Sequence, residues 1–186
     1  TLFIDHSVAS GGYYCQVKGR DPLSESELGL LKVLMQKMVR DDLPFERREV
    51  PVDEATRYFL SRGEEDKVRL LKYRRKPYLT LYSLKERMDY HHGYMVPTTG
   101  YLRWFDLVPT LGGFTLLYPS RQKPDDLLPM PEYPKLLATF LQYGTWLETL
   151  GIENVGSLND AIENGRGDEI VLVSEAFHEQ RLSQIA

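Results

Sequence analysis

One cysteine and four histidines are the side chains of this 186-residue chain best suited to catalytic or metal chemistry. Two of them, His91 and His92, are adjacent within the stretch 88–97, which reads MDYHHGYMVP. Neighbouring side chains of an extended strand point to opposite faces, so both could bind one metal only if the backbone bends, as the glycine after them allows. One of them with Cys15 and His6 would make a three-ligand site. We favour the alternative that one histidine packs and the other meets water, because unlinked ligands carry no spacing signature.

A cysteine–histidine pair could also supply a nucleophile and its base, if the thiol pKa were lowered. Cys15 stands in an aromatic segment, where a free cysteine most often behaves as a small buried hydrophobe, so we favour a packing role. Nearby aromatic side chains could stack a nucleobase or simply fill a half-exposed sheet face, namely Tyr13, Tyr14, Tyr90, Tyr94, Tyr101 and Trp104. The candidate ligand cleft therefore comprises His91, His92, Tyr94, Cys15 and His6, and no catalytic residue or metal ligand is assigned.

Positive charge is concentrated in the segment 67–76, which carries six lysines and arginines. We favour a solvated edge over a phosphate-binding patch, whose candidates would be Arg74, Arg75 and Lys76. The glycine-rich loop of nucleotide-binding proteins is missing, since 151–157 has its glycine spacing but no lysine and follows a predicted helix. The Gly-x-Ser-x-Gly signal of many hydrolases is also absent. The chain itself is therefore predicted to transfer no phosphate.

Composition indicates a globular protein, with 42% hydrophobic and 27% charged residues. The formal net charge of −4 argues against wholesale attraction to nucleic acid. A single cysteine cannot form an internal disulfide, which favours a cytoplasmic location. No apolar run approaches the length that spans a bilayer, so no membrane partner is expected. Oligomeric state is left open.

Helical periodicity and capping signals place the helices of the first part. Ser24 and Glu27 form a capping box that opens a helix. Asp41-Asp42-Leu43-Pro44 ends it, because a residue before proline is pushed out of the helical region. Asp53 is expected to cap a short helix. The segment 64–72 is predicted to form a second short helix. The predicted inward face of the first helix is Leu28, Leu31, Leu34, Met35, Met38 and Val39.

Strands are predicted from β-branched and aromatic content at 13–17, 46–50, 77–82, 102–108 and 114–118. Five prolines from Pro119 to Pro134 predict a stiff connector that is neither helix nor strand. After it the pattern is helical, with an apolar stripe from Leu136 to Leu150, a helix capped by Ser157, and a last helix from about Asp168. Its expected inward residues are Ile170, Val173, Phe177 and Ile185. The prediction is an α+β domain with an antiparallel sheet at 1–118, a connector at 119–134 and a helical segment at 135–186.

Five segments in order resemble the editing domain of threonyl-tRNA synthetases, which alanyl-tRNA synthetases share. They are Gly12-Tyr13-Tyr14, the capped helix running into Glu46-Arg47-Arg48-Glu49-Val50, Asp53-Glu54-Ala55, Arg62-Gly63-Glu64-Glu65-Asp66-Lys67-Val68, and the stretch ending Val96-Pro97. The resemblance covers about 11–118 and implies that family's α+β fold. It also implies a site of two histidines four apart plus a later cysteine and histidine four apart. The later pair falls on His91 and Met95 here, and the earlier pair is not found.

A second resemblance is to bacterial uridine kinase-like proteins, which join a synthetase-like region to a phosphoribulokinase/uridine kinase domain. It rests on His6-Ser7 before Tyr13-Tyr14-Cys15 and on Val173-Ser174-Glu175-Ala176-Phe177-His178-Glu179. The chain starts without methionine and ends in mid-pattern, so we expect it to be a piece of a longer protein whose kinase domain follows Ala186. That domain would use ATP and magnesium, whereas this piece would need no cofactor.

Three functions follow as expectations. The first is a non-catalytic recognition or regulatory region that binds a small ligand, nucleotide or RNA and biases the attached kinase domain. The second is an aminoacyl-tRNA deacylase with His91 as base and Cys15 or a water as nucleophile. The third is a structural module that dimerises through the stripe from Leu136 to Leu150.

Overall fold

The computed structural model describes residues 2–8, 11–129 and 133–185, and it is an α+β protein. The strands are β1 (Leu2–Ser7), β2 (Tyr13–Val17), β3 (Glu46–Pro51), β4 (Tyr78–Leu84), β5 (Arg87–Tyr90), β6 (Asp106–Thr110) and β7 (Gly113–Leu117). The helices are α1 (Glu25–Arg40), α2 (Val52–Ser61), α3 (Glu65–Lys72), α4 (Pro134–Thr149), α5 (Val155–Glu163) and α6 (Gly167–Ile185). A 3-10 turn spans Thr99–Tyr101. The predicted fold class is confirmed.

The chain divides into two compact units, one built from 1–48 and 80–132 and the other from 49–79 and 133–186. The first unit holds a four-stranded antiparallel sheet in the order β1-β2-β7-β6. Its core joins one side of that sheet to α1 through Cys15, Leu28, Leu107 and Phe114. Burying such side chains provides about 1.5–3 kcal/mol each for the larger ones, which is why α1 lies on this sheet.

Helix α1 begins as the sequence predicts. The Ser24 hydroxyl accepts from the Glu27 amide, and the Glu27 carboxylate accepts from the Ser24 amide at 2.9 Å. The predicted apolar face is only partly inward, because Leu28 is buried whereas Leu34 is 60% exposed. The helix ends at Arg40, and Asp42 follows with a φ of 49°.

A second sheet has the order β3-β4-β5, with β4 and β5 paired antiparallel through a tight turn. Lys85 occupies that turn with a φ of 54°, a left-handed conformation that non-glycine residues adopt uncommonly. Leu79, Leu81 and Tyr82 of β4 are buried. Strand β5 then leads into the histidine stretch.

The second unit contains helices α2 and α3 from the middle of the chain and α4 to α6 from its end. Helix α3 packs against α5, and the pair is joined by Lys72 and Tyr73, which both contact Asp160 and Glu163. Helices α4 and α6 meet through aromatic side chains, with Trp146 stacked on Phe177 at 4.9 Å between ring centroids.

Several element predictions need correction. The N-cap of α5 is Asn154, and Ser157 is the third helical residue that completes its capping box. Helix α2 begins at Val52 with Pro51 before it, so Asp53 lies in the first turn and makes no cap. The predicted strand at 102–108 is β6, which starts only at Asp106.

Two strands were not predicted. Strand β1 lies at an edge and exposes Leu2, Phe3 and Ile4, so it lacks the alternation that marks a half-buried strand. Strand β5 has four residues and no β-branched side chain. Both strands form by pairing with a neighbouring strand, and the hydrophobic periodicity of a single segment does not show such pairing.

The proline-rich stretch forms no helix or strand within residues 118–129 beyond a single bridge between Ser120 and Lys123. Residues 130–132 of the predicted connector, and the side chain of Ile185, fall outside the described part of the chain. Ile170, Val173 and Phe177 of α6 are half-buried. The division at 118 and 134 stays a prediction. None of the described helices is long and apolar enough to cross a membrane.

Candidate functional site

The histidine stretch is a loop held from below by a buried tyrosine. Tyr82 of β4 is 7% exposed, and its hydroxyl donates to the Gly93 carbonyl at 3.0 Å. The same oxygen accepts from the Met95 amide at 3.4 Å. Gly93 has a φ of 102°, which lets the chain turn there. Tyr82 thus fixes the course of the loop between its two ends.

The side chains on the outer side of this loop face solvent. His91, His92 and Tyr94 are all exposed, and Tyr94 reaches 89%. Each lies beside a neighbouring side chain: His91 is edge-on to Tyr82 at 6.2 Å and His92 to Tyr90 at 5.7 Å. The Arg47 guanidinium lies 5.8 Å from the centre of the Tyr94 ring. We call His91, His92, Tyr94 and Arg47 the loop surface.

The loop surface offers aromatic faces, imidazoles and one cation. A nucleobase can stack on Tyr94, and the cation above the ring suits an anionic neighbour. The arrangement is typical of recognition, since its members are solvated. Sequence reasoning missed Arg47 and Tyr82. The signal available for Tyr82 was an aromatic hydroxyl in a predicted strand, which needs a partner once buried.

Cys15 and His6 lie on the other sheet. Ile4 pairs with Cys15 and His6 with Tyr14 across β1 and β2, with an irregularity between those two pairs. The His6 ring is 5.3 Å from the Tyr14 ring, and its Nδ1 is 3.0 Å from Asp5. Cys15 and His6 therefore lie on neighbouring strands, but His6 pairs with and contacts Tyr14, whose side chain points to the opposite face from that of Cys15. His91, His92 and Tyr94 follow β5.

Cys15 has the environment of a packing residue. It is 3% exposed in the core beneath α1, and its Sγ lies 3.5 Å from the Tyr13 carbonyl. Burial raises the pKa of the Cys15 thiol, the direction opposite to that which makes a nucleophilic thiolate. Within residues 2–8, 11–129 and 133–185, no group of three His, Cys, Asp or Glu side chains is placed to hold a metal ion.

The predicted phosphate patch lies in the second unit, between α3 and β4. Arg74 is half-buried, and its Nε donates to the Tyr78 carbonyl at 2.8 Å. Arg75 and Lys76 are exposed, with Lys76 5.9 Å from the Tyr78 ring. One of the three cations thus holds the turn into β4. Whether the patch or the cleft binds a ligand stays a prediction.

Just over half of the chain is similar in sequence to threonine–tRNA ligases. The chain is 34% identical over 104 residues to the threonine–tRNA ligase of Carboxydothermus hydrogenoformans, covering 55% of this chain and 16% of that protein. The chain is 31% identical over 103 residues to the threonine–tRNA ligase of Nitratidesulfovibrio vulgaris, and this match covers 55% of this chain and 16% of that protein. The chain is 31% identical over 108 residues to the threonine–tRNA ligase of Legionella pneumophila, and this match covers 58% of this chain and 17% of that protein.

No family model matches the chain. The chain spans only about one sixth of the length of these relatives, since 16–17% of each is covered. The resemblance to threonyl-tRNA synthetases is confirmed at this level. The resemblance to uridine kinase-like proteins receives no support from these matches and stays a prediction.

Proposed function

We propose that this chain is a recognition domain for the aminoacylated end of tRNA, related to the editing region of threonyl-tRNA synthetases. The loop surface binds the terminal nucleotide, with the base stacked on Tyr94 and the backbone phosphate drawn to Arg47. The single observation that carries this is the fixed course of the loop, which leaves Tyr94 89% exposed above a buried Tyr82. The similarity to threonine–tRNA ligases supports the choice of ligand.

The proposed role is binding without hydrolysis. In the resemblance to the editing domain, the later cysteine and histidine positions are His91 and Met95, and a methionine neither binds a hard metal ion nor accepts a proton. Cys15 is buried and its thiol pKa is raised, so it does not attack an ester. The domain therefore holds the end of the tRNA and leaves its ester intact.

A second candidate is deacylation of mischarged tRNA, which is favoured by the exposure of His91 in the loop that resembles the editing motif. A water would attack the ester carbonyl while His91 takes its proton, and the ribose hydroxyl would leave as it regains a proton. Cys15 takes no part in that step. The kinase domain with its ATP and magnesium stays a prediction, and the proposed recognition role does not depend on it.

The test uses the full chain and tRNA-Thr, uncharged, correctly charged or mischarged. Binding is measured by electrophoretic mobility, and release of labelled amino acid is measured in parallel. We expect saturable binding that Tyr94→Ala weakens about tenfold, because stacking a base contributes roughly 1–3 kcal/mol. Tyr133→Ala is the matched control, since Tyr133 is 53% exposed at the start of α4.

The two candidates separate in the release assay. Amino acid release at the rate of buffer alone supports recognition, and release that is faster and lost in His91→Ala supports the deacylase. His178→Ala, which changes an exposed histidine on α6, is the control for that variant. Equal affinity of wild type and Tyr94→Ala for every tRNA form would overturn the loop surface as the binding site.

A further inference from the structure

Two adjoining cavities lie in the first unit, away from the histidine loop. One has a volume of about 530 Å³ and the other about 710 Å³, and Val39 and Tyr101 line both. Ligand cavities typically measure about 300–1,000 Å³. The two cavities adjoin at these shared residues, so a ligand that occupies both must have an end suited to each.

The smaller cavity is apolar and aromatic. It is formed between the last turns of α1 and the segment after the 3-10 turn, and its lining includes Met35, Met38, Phe45, Tyr101, Trp104 and Phe105. Its buried hydroxyl, that of Thr99, donates to the Met38 carbonyl at 2.5 Å and accepts from the Leu43 amide at 2.8 Å. With that hydroxyl engaged, the cavity presents mostly rings, aliphatic groups and thioethers, which adapt to a flat apolar group, and its other polar lining residues are Ser120 and Arg121.

The larger cavity carries two arginines, Arg40 and Arg103. Its one carboxylate, Asp42, is engaged through Oδ1, which accepts from the Thr98 hydroxyl at 2.5 Å and the Gly100 amide at 3.1 Å. Arg103 uses its Nε to donate to the Gly100 carbonyl at 2.9 Å. Neither guanidinium makes an ion pair within the described residues. Two forked cations beside a hydrogen-bonded carboxylate suit a phosphate group.

We propose that the paired cavities bind a nucleotide, with its base against Tyr101 and Trp104 and its phosphate between Arg40 and Arg103. Charge complementarity selects this occupant over a purely apolar one, since the two exposed arginines of the second cavity attract an anionic group and gain nothing from an uncharged ligand. The shared chemistry is a nucleoside phosphate, which either a free nucleotide or the end of an RNA supplies. This site does not depend on the aminoacyl-tRNA function, because it uses none of the loop surface.

Trp104 provides a direct reporter of the base. The chain has two tryptophans, so Trp146→Phe leaves Trp104 as the only one. Titration of this variant with AMP is expected to quench its fluorescence saturably, because a stacked base quenches an indole. Adenosine is expected to bind about tenfold more weakly than AMP, since hydrogen bonds to a charged group contribute roughly 1.5–3 kcal/mol.

Arg103→Ala in the same background should bring the affinity for AMP down to that for adenosine and leave adenosine unchanged. Arg57→Ala, an exposed arginine of the second unit, is the matched control and should bind AMP as the background does. Circular dichroism and the urea midpoint show that each variant is folded.

A second arm compares AMP with the trinucleotide CCA bearing a 5′-phosphate. Tighter binding of the trinucleotide identifies an RNA end as the source, and equal or weaker binding identifies the free nucleotide; both support the site. No saturable change in Trp104 fluorescence with either probe overturns the proposal. Equal affinities for AMP and adenosine in the folded background variant overturn it as well, because the arginines then read no phosphate.

Discussion

The Thr98 hydroxyl donates a hydrogen bond to the Asp42 carboxylate at 2.5 Å, across 56 residues of sequence. Asp42 has left the helix with a φ of 49°, and the same oxygen accepts from the Gly100 amide. A Cβ on Gly100 would lie 2.1 Å from that oxygen, so only glycine permits the approach. The end of α1 and the 3-10 turn are thus fixed to each other by one aspartate.

Removing this carboxylate should destabilise the first unit. Asp42→Ala loses both hydrogen bonds and places alanine in the left-handed region, which together cost about 2–3 kcal/mol. Asp42→Asn keeps an acceptor and tolerates that conformation, so we expect less than half of that loss. Urea unfolding measures both, with Asp125→Ala as control. Equal midpoints for Asp42→Ala and the control would contradict the contact's role.

Gly100→Ala tests the same contact from its other side. We expect destabilisation because the new methyl group displaces the Asp42 carboxylate. Combined with Asp42→Ala it should cost less than the two single changes together, since the clash disappears with the carboxylate. The double-mutant cycle from urea midpoints measures this coupling. Strict additivity would show that the glycine matters for another reason.

Tyr82→Phe should release the histidine loop without changing β4. Loss of the hydroxyl removes the bonds to Gly93 and Met95 and costs about 1 kcal/mol. Hydrogen exchange of the Met95 amide should become faster, as seen by NMR. Tyr78→Phe, an exposed tyrosine at the start of the same strand, is the control. Unchanged exchange at Met95 would show that the loop is held by other contacts.

The contact between α3 and α5 predicts a loss of stability at alkaline pH. The hydrogen bond from the Tyr73 hydroxyl to Asp160 raises the pKa of Tyr73 to about 12 from 10.0. A raised pKa stabilises the folded state below pH 10, and this contribution falls as the pH rises from 10 to about 12. The difference in urea midpoint between wild type and Tyr73→Phe should therefore shrink over that range. A difference independent of pH would refute the assignment.

The capping box predicts the opposite behaviour in acid. Hydrogen bonds to the Glu27 carboxylate, first from the Ser24 amide and then from Arg20, lower the pKa of Glu27 to about 2 from 4.5. A lowered pKa stabilises the folded state above pH 4.5, and this contribution disappears as the pH falls towards 2. The stability gap between wild type and Glu27→Gln should narrow accordingly. Glu25→Gln, in the same first turn, is the matched control.

Cys15 should react slowly with alkylating reagents. Because the thiol is buried and its pKa is raised, modification by iodoacetamide requires local opening and should be at least about a hundredfold slower than in urea. Mass spectrometry of the alkylated chain measures the two rates. Equally fast labelling of the folded chain would show that Cys15 is accessible. Cys15→Ala should leave tRNA binding and amino acid release unchanged.

Local signals in the sequence determined much of the fold. The capping box of Ser24 and Glu27, the prolines after Tyr118 and the helical periodicity after Pro134 act over a few residues and need no partner. The aromatic segments gave the existence of β2, β4 and β7. The predicted start of α5 was wrong because Asn154 and Ser157 both carry capping side chains. Each of these side chains accepts a hydrogen bond from the backbone amide of the other residue, so residue type alone does not identify the N-cap.

The predicted site shows what sequence could not supply. His91, His92, Tyr94, Cys15 and His6 were grouped by residue type. The structure instead places Cys15 and His6 on one sheet, and the other three in the loop that follows β5 of the second sheet. The irregularity in the β1 and β2 pairing, the hydroxyl of Tyr82 below the loop and the two cavities sharing Tyr101 are long-range features.

The sequence by itself determined the α+β class, the start of α1 and the likeness to threonyl-tRNA synthetases, since these depend on local preference and on residue order. Only the tertiary structure decided which side chains meet: Cys15 in the core, Tyr94 in solvent, and Asp42 against Thr98 and Gly100. The physical reason is that strand pairing and side-chain packing join residues far apart in sequence. The favourable free energy of these contacts is gained only after the intervening chain has been closed into a loop.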